Sequence, residues 1–244
     1  MKPLQNKDTA THTTTIQRRS IERLTSAYQN DSSGIYVASK KNYLLLKRSF
    51  DIVFSALIIL LVLSWLLPIM GLLIKLDSKG PVFFKQKRIG RNGKPFICLK
   101  LRTMISNKEA DETPVQENDY RITKLGSLLR QTHLDELPQF FNVLTGHMSI
   151  VGPRPHMTAD CIRFSFVIPS YAFRHFAKPG ITGWAQVKGY HGPTTDYESV
   201  INRYYWDARY VRKAGLWLDV KIVALTIIQS TIQIFCHLFS LAWK

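Results

Sequence analysis

Residues 52–74 read IVFSALIILLVLSWLLPIMGLLI, 23 residues without a charge. As one straight helix the run would extend roughly 35 Å, against about 30 Å for the hydrocarbon core of a bilayer. A stretch this long and apolar belongs to a membrane rather than to the core of a soluble domain. Two features bear on whether it crosses or turns back. Pro68 lacks a backbone donor and its ring clashes with the turn before it, which predicts a kink; Ser64, one turn earlier, carries a hydroxyl that can satisfy a released carbonyl. Both flanks are basic, with Lys47 and Arg48 before the run and Lys75, Lys79, Lys85, Lys87 and Arg88 after it. Basic residues stay on the cytoplasmic side, so two basic flanks favour a re-entrant helix–break–helix. A proline kink alone is compatible with return and with crossing.

Outward from this run the chain divides into four parts. Residues 1–42 are polar and rich in Thr and Ser, and are expected to form a disordered tail. No apolar core follows Met1, which excludes a cleavable signal peptide. Through Arg48 there are nine basic and three acidic residues, a balance that suits anionic headgroups beside an apolar run and equally suits a solvated tail. Residues 43–77 hold the membrane helix, 78–215 a central domain, and 216–244 a C-terminal helix. In that last part Gln229, Gln233 and His237 form a polar stripe, which predicts an amphipathic helix at the interface, or a core helix with a polar edge.

Inside the central part, apolar stretches at 82–84 and 96–99 flank Arg91-Asn92-Gly93, a hairpin signal, with Gly90 and Lys94-Pro95 lengthening the loop. Residues 105–119 are acidic and polar and read as a loop. From Ile122 a helical period runs through Leu125, Leu128, Leu129, Leu134, Leu137, Phe140, Phe141 and Leu144 to a stop at Gly146. Alternating prolines make 151–155 an ordered loop, and 178–183 reads as a turn. The fold class is α+β and helix-rich: a membrane-associated domain with a re-entrant helix, a β-hairpin and interfacial amphipathic helices.

The 244 residues carry 33 Lys+Arg against 17 Asp+Glu, a net charge of +16. Such a balance calls for an anionic partner: nucleic acid, a phosphorylated ligand or an acidic membrane. With 45% hydrophobic residues, a wholly disordered chain is excluded. Cys98, Cys161 and Cys236 have no paired spacing, which excludes a disulfide scaffold, argues against zinc, and fits a reducing compartment. No Walker, GxGxxG, zinc-finger or RNP pattern is present, so nucleic acid is not an expected partner.

Three places carry candidate chemistry. Asp135-Glu136, hemmed by Leu134 and Leu137 and followed by Pro138, puts adjacent carboxylates at a predicted helix start. They point about 100° apart, so one can attack or hold a metal while the other orients it; equally, acids are common in first turns as stabilising charges. Arg154 stands between Pro153 and Pro155, a pre-positioned guanidinium suited to a phosphate fork, or a surface arginine in a turn. Lys100 and Arg102 alternate along a strand and share a face, forming a second cationic patch or a solvated one.

Taken in order, these pieces resemble the bacterial sugar transferase family, the monotopic phosphoglycosyl transferases. The matching segments are IKLDSKGPVFFKQKRIGRNGKPF at 74–96, KLRTM at 100–104, RITKLGSLLR at 121–130, LDELPQFFNVL at 134–144, MSIVGPRP at 148–155, KPGITGWAQV at 178–187 and LWLDVKI at 216–222. The resemblance covers about residues 45–230, and so many long segments in fixed order are specific.

It implies transfer of a sugar-1-phosphate from a UDP-sugar to undecaprenyl phosphate with release of UMP. Asp135 would be the nucleophile that forms a covalent phospho-sugar, Glu136 its partner, and Mg²⁺ the cofactor, held in part by Asp135. Arg154 would clamp phosphate, with Lys100 and Arg102 in the basic active-site segment and Ser64 and Pro68 at the membrane-helix break. The implied setting is the cytoplasmic face of the bacterial inner membrane, with residues 78–215 as the cytoplasmic catalytic domain. There the enzyme would meet an anionic bilayer and supply downstream glycosyltransferases that build capsule, exopolysaccharide or O-antigen. His156 resembles members that transfer a hexose such as glucose or galactose. Departures from the family pattern are Trp65 directly after Ser64, with proline delayed to 68, His133 for Ser/Thr, Leu101 for Phe, and His147 for Asp. A membrane-anchored scaffold of the same fold without catalysis is the rival reading.

Overall fold

The computed structural model describes residues 40–105, 119–190, 192 and 196–242; the expected tail up to residue 39 and most of the expected loop at 105–119 lie outside them. The chain opens with α1 (Lys41–Ile58), a π-helical turn (Ile59–Leu63) and α2 (Ser64–Asp77), which follow one another with helical backbone throughout. The helix therefore starts at Lys41, two residues ahead of the expected boundary, and no break in the helix occurs at Ser64 or Pro68. The disturbance comes one turn sooner. In an α-helix the Ser64 amide would bond the Leu60 carbonyl; here it donates to Ile59 O, and the Ser64 hydroxyl takes Leu60 O at 2.6 Å. Trp65 Nε1 donates to Leu61 O at 2.9 Å. Side chains thus satisfy carbonyls where the ladder changes register, as an apolar medium requires.

Both arms of this helix dock on the same domain. Tyr43, Leu44 and Phe54 of α1 pack against the main core. Arg48 donates to Val143 O and Leu144 O at 2.6 and 2.8 Å. The Asp51 carboxylate accepts from Ser149 Oγ and the Ile150 amide at 3.1 and 3.0 Å. On α2, Leu67, Met70 and Ile74 pack with Leu101, Leu125 and Leu129. Between the docked ends, Leu57, Leu60, Leu61, Trp65 and Ile69 are exposed.

Strands β1 (Phe83–Ile89) and β2 (Pro95–Leu101) form the expected hairpin, with Phe83 opposite Leu101 and Ile89 opposite Pro95. Asn92 and Gly93 in its loop have φ of 56° and 74°, the left-handed region that Asn and Gly enter most readily.

The helical stretch from Ile122 is two helices, not one. Helix α3 (Lys124–Gln131) is capped by Thr123, whose hydroxyl accepts from the Gly126 amide at 2.9 Å. The chain then breaks at His133 (φ 56°), makes a 3₁₀ turn over Leu134–Glu136, and resumes as α4 (Gln139–Leu144). Leucine spacing hid the break because Leu134 packs into the same cluster as Leu125 and Leu129. Periodicity reports burial, and burial survived a change of backbone.

The loop at 151–155 leaves the end of one strand, and the stretch read as a turn at 178–183 contains its partner. Strands β3 (Ser149–Val151) and β4 (Gly180–Thr182) run parallel, Ser149 beside Gly180 and Val151 beside Thr182. At three residues each they are too short to show a strand period. A Cβ at Gly152 would lie 2.2 Å from Lys178 O, and one at Gly180 would lie 2.1 Å from Gly152 N, so glycine at both positions permits the pairing.

Four helices complete the domain: α5 (Thr158–Val167), α6 (Trp184–Val187), α7 (Tyr197–Lys213) and α8 (Leu216–Ala242), with a 3₁₀ segment over Tyr171–Phe176 after α5. Asp196 caps α7 by accepting from the Ser199 amide at 2.7 Å. The polar stripe of α8 faces the protein: Gln229 donates to Val187 O at 3.0 Å and Gln233 to Gln131 O at 3.2 Å. Trp217, Val220, Ile227, Ile228 and Ile232 face outward; the His237 side chain lies outside the described set. The helical stretches Lys41–Asp77 and Leu216–Gln233 are each long and apolar enough to cross a membrane. The main core joins α4, β3, α7 and α8 through Val143, Met148, Val151, Val211 and Ile222, each such buried side chain contributing roughly 1.5–3 kcal/mol of transfer free energy.

Candidate active site

The left-handed turn at His133 reverses the chain after α3 and sets Asp135 and Glu136 on a 3₁₀ turn. Both side chains are buried, at 7% and 8% exposure. Their surroundings differ. Glu136 is saturated: Arg154 Nη2 donates to Oε1 at 2.6 Å and Nη1 to Oε2 at 3.1 Å, while Lys100 Nζ reaches Oε1 at 2.6 Å. Asp135 accepts no hydrogen bond from any described residue, though Lys100, Arg130 and Arg154 all act on it electrostatically.

The protonation states follow. Burial opposes ionising Glu136, but Arg154 and then Lys100 outweigh it and hold the carboxyl well below the usual carboxylate range. Burial pushes Asp135 up, and Lys100 is the chief force holding it back. Glu136 is a fixed anion, tied in place; Asp135 is an unencumbered carboxyl facing cations. One carboxyl of the pair is thus tied down by cations, and the other is left without a hydrogen bond among them.

Arg154 owes its position to its own backbone. Gly152 N donates to Thr182 O, Gly180 N to Pro153 O and Ile89 N to His156 O, at 2.8, 3.0 and 3.0 Å. Arg88 donates to Pro155 O. Arg174 Nη2 donates to Arg154 O at 2.6 Å and also pairs with Asp207 Oδ2 at 2.7 Å, both partners being 1% exposed. The arginine that forks onto Glu136 is thus held by a second, deeper arginine.

The profile of bacterial sugar transferases matches residues 42–233. The chain belongs to the bacterial sugar transferase family. It is 48% identical over 190 residues to the UDP-glucose:undecaprenyl-phosphate glucose-1-phosphate transferase of Escherichia coli (strain K12), covering 78% of this chain and 41% of that protein. It is 46% identical to the Caulobacter vibrioides protein of the same name, covering 74% of this chain and 68% of the relative. Identity to the UDP-N-acetylgalactosamine-undecaprenyl-phosphate N-acetylgalactosaminephosphotransferase of Aeromonas hydrophila is 42%, over 76% and 43% of the two chains. The chain thus spans about two fifths of the Escherichia coli relative.

The structure gathers Asp135, Glu136, Arg154 and Lys100. It does not bring Arg102 to them. Arg102 directly follows β2, its amide still donating to Val82 O at 2.9 Å, but its guanidinium turns to the end of α2, donating to Ile74 O at 3.1 Å and Ser78 O at 2.6 Å. There it satisfies terminal helix carbonyls and the negative end of the helix dipole. Ser64 and Pro68 sit in the exposed stretch of the long helix. His156 is buried, bonded through Nδ1 to the Tyr171 hydroxyl.

Sequence reasoning missed Arg130, anchored by Nε to Thr103 Oγ1 at 2.7 Å; its signal was a cation closing the helix just ahead of the acidic pair. It also missed Arg174 and Asp207, which lie 33 positions apart and carry no local signal.

Among the described residues no three His, Cys, Asp or Glu side chains gather as a metal cage. With Glu136 engaged, Asp135 is the free carboxylate. One carboxylate fits magnesium, which keeps several waters and shares its sphere with substrate phosphates.

Proposed function

We propose that this chain is a phosphoglycosyl transferase that moves a sugar-1-phosphate from a UDP-sugar to undecaprenyl phosphate and releases UMP. The observation that carries the reading is the division within the carboxylate pair, Glu136 locked by Arg154 and Lys100 and Asp135 free beside three cations.

Asp135 attacks the sugar-bearing phosphorus, forming an acyl phosphate as the bond to the bridging oxygen breaks and UMP leaves. The phosphate oxygen of the polyprenyl acceptor then attacks the same phosphorus, forms the lipid diphosphate-sugar and restores the carboxylate. Splitting the transfer avoids holding two polyanionic substrates together. Lys100, Arg130 and Arg154 hold charge at the transferring group. Magnesium, carried by the diphosphate and Asp135, would add charge neutralisation there. The donor proposed first is UDP-glucose, the sugar in the names of the Escherichia coli and Caulobacter relatives. His156 does not face the carboxylates, so its effect on sugar choice would pass through the Arg154 loop.

The setting is the cytoplasmic face of the inner membrane, with the long helix re-entrant. The docking of both α1 and α2 on one domain supports return, because both flanks then share a side. An outward apolar face on α8 supports contact with an anionic bilayer. The product would prime capsule, exopolysaccharide or O-antigen assembly by later glycosyltransferases.

The deciding experiment incubates purified protein with Mg²⁺, undecaprenyl phosphate and a panel of UDP-sugars and measures UMP. Release with one sugar, lost in Asp135→Asn, bears the reading out. Nucleotide-sugar binding without release, from a folded protein beside an active control enzyme, would leave the scaffold.

A further inference from the structure

A cavity of about 410 Å³ lies at the start of the membrane helix, lined by Lys41, Leu44, Leu45, Arg91, Phe176 and Lys178 among others. None of Lys100, Asp135, Glu136 or Arg154 lines it. Its charge is lopsided. Lys41, Lys47, Arg48, Arg91 and Lys178 meet one carboxylate, Asp51. Two of the five cations are already engaged, Lys47 with Asp219 at 2.8 Å and Arg48 with the carbonyls that end α4. Asp51 is committed to Ser149 and Ile150. Lys178 is half-buried with no hydrogen bond, and Arg91 Nε is fully buried without a partner. Burial, and then Arg48, push the Lys178 ammonium down. Half-buried cations that outnumber the carboxylates beside them are costly unless something supplies a further anion.

Apolar side chains share the lining with these cations. Leu44 and Leu45 belong to the first turns of α1, Leu45 is 70% exposed, and Phe176, two residues before Lys178, is 48% exposed. The apolar run begins at residue 52, so the cavity opens about two turns from it, at the level where lipid headgroups lie. A phosphate among cations beside exposed leucines is the chemistry of an anionic lipid.

We propose that this cavity binds the phosphate headgroup of an anionic phospholipid, with Lys178 and Arg91 on the phosphate and the first carbons of the chain along Leu44, Leu45 and Phe176. The site is separate from the carboxylate pair. It leans on the membrane placement of α1 but not on the transfer chemistry. Lys178 also adjoins Pro179, whose carbonyl holds the Ser149 amide at 2.8 Å, so an occupied cavity would brace the strand pair that carries the Arg154 loop.

The test uses the full chain in a neutral detergent and short-chain dioctanoyl lipids, so that it does not depend on how the helix sits in a bilayer. Dioctanoyl phosphatidylglycerol and phosphatidic acid are titrated by native mass spectrometry, against dioctanoyl phosphatidylcholine and inorganic phosphate. The expected result is saturable binding of the anionic lipids, weakened at least tenfold in Lys178→Ala/Arg91→Ala with an unchanged thermal midpoint, and unaffected in Asp135→Asn. Equal binding by wild type and the double variant overturns the proposal. So does displacement of lipid by equimolar inorganic phosphate, which would make the cavity an anion site with no use for its apolar lining. If the double variant unfolds, Leu45→Glu serves instead: it leaves the cations in place and should abolish lipid binding, and lipid binding at wild-type strength would sink the idea.

Discussion

Arg154 grips Glu136 through both terminal nitrogens, at 2.6 and 3.1 Å, and by doing so leaves Asp135 as the carboxyl without a hydrogen bond. The fork needs a planar guanidinium in a fixed orientation, which lysine cannot reproduce. Arg154→Lys should therefore lose most of the activity that Arg154→Ala loses, a fall on the order of 10²-fold in kcat/KM for the UDP-sugar. Wild-type kinetics in the lysine variant would show that charge alone suffices there.

Asp135→Asn keeps size and removes the proposed nucleophile. UMP release should fall by roughly 10³-fold or more, with circular dichroism and the thermal midpoint unchanged, because Asp135 makes no hydrogen bond that the fold depends on. Glu136→Gln should behave differently. It leaves Arg154 and Lys100 facing a neutral amide, so stability as well as turnover should fall. Equal thermal midpoints for the two variants would contradict the asymmetry of the pair.

The pH profile tests the same asymmetry. The Asp135 carboxyl titrates above its ordinary range because it is buried, and Lys100 is the main force lowering it. The proposed attack needs the ionised form, so kcat/KM should be lost as pH falls through that raised value. Lys100→Met removes the opposing cation and should move the acid limb to higher pH. Glu136 runs the other way: held below its ordinary range, it lends stability above the unfolded value that goes only as pH drops through the lower, folded one. An acid limb that stays put in Lys100→Met would remove Lys100 from the electrostatics of Asp135.

How far the sequence led depended on the range of each signal. The 23-residue apolar run, the Asn92-Gly93 hairpin and the Asp135-Glu136 pair are local, and the structure shows the helix, the hairpin and the pair where they were read. The break at His133 was invisible because Leu134 keeps the apolar period while the backbone turns left-handed. Arg102 was misplaced because strand alternation cannot foresee that the end of α2, about 25 residues earlier, supplies carbonyls that take its guanidinium. The β3–β4 pairing and the Arg174–Asp207 pair join segments about 30 residues apart, and only the folded chain brings them together.

That buried pair separates support from chemistry. Removing one partner, as in Asp207→Ala, strands the Arg174 guanidinium and should cost about 3–5 kcal/mol of stability. Replacing both by apolar residues of similar volume, Arg174→Met with Asp207→Leu, should restore much of it. Activity should not return with it, since Arg154 O loses its donor. Recovery of stability and turnover together would show that Arg174 does not position Arg154.

The course of the long helix is tested by labelling. Its two ends dock on one domain through Arg48 and Asp51 on one arm and Leu67, Met70 and Ile74 on the other, and a straight crossing would pull one of these contacts apart. Cysteines placed at the exposed Lys41 and Lys79, with Cys161 and Cys236 replaced by serine and the buried Cys98 retained, should both react with a membrane-impermeant maleimide only from the cytoplasmic side. Labelling of one from each side would mean that the π-turn at Ile59–Leu63 sits in a spanning helix. The Ser64 and Trp65 side chains would then be repairing carbonyls in a crossing segment, and the Leu67–Ile74 contacts with Leu101 and Leu129 could not form in the membrane-bound protein.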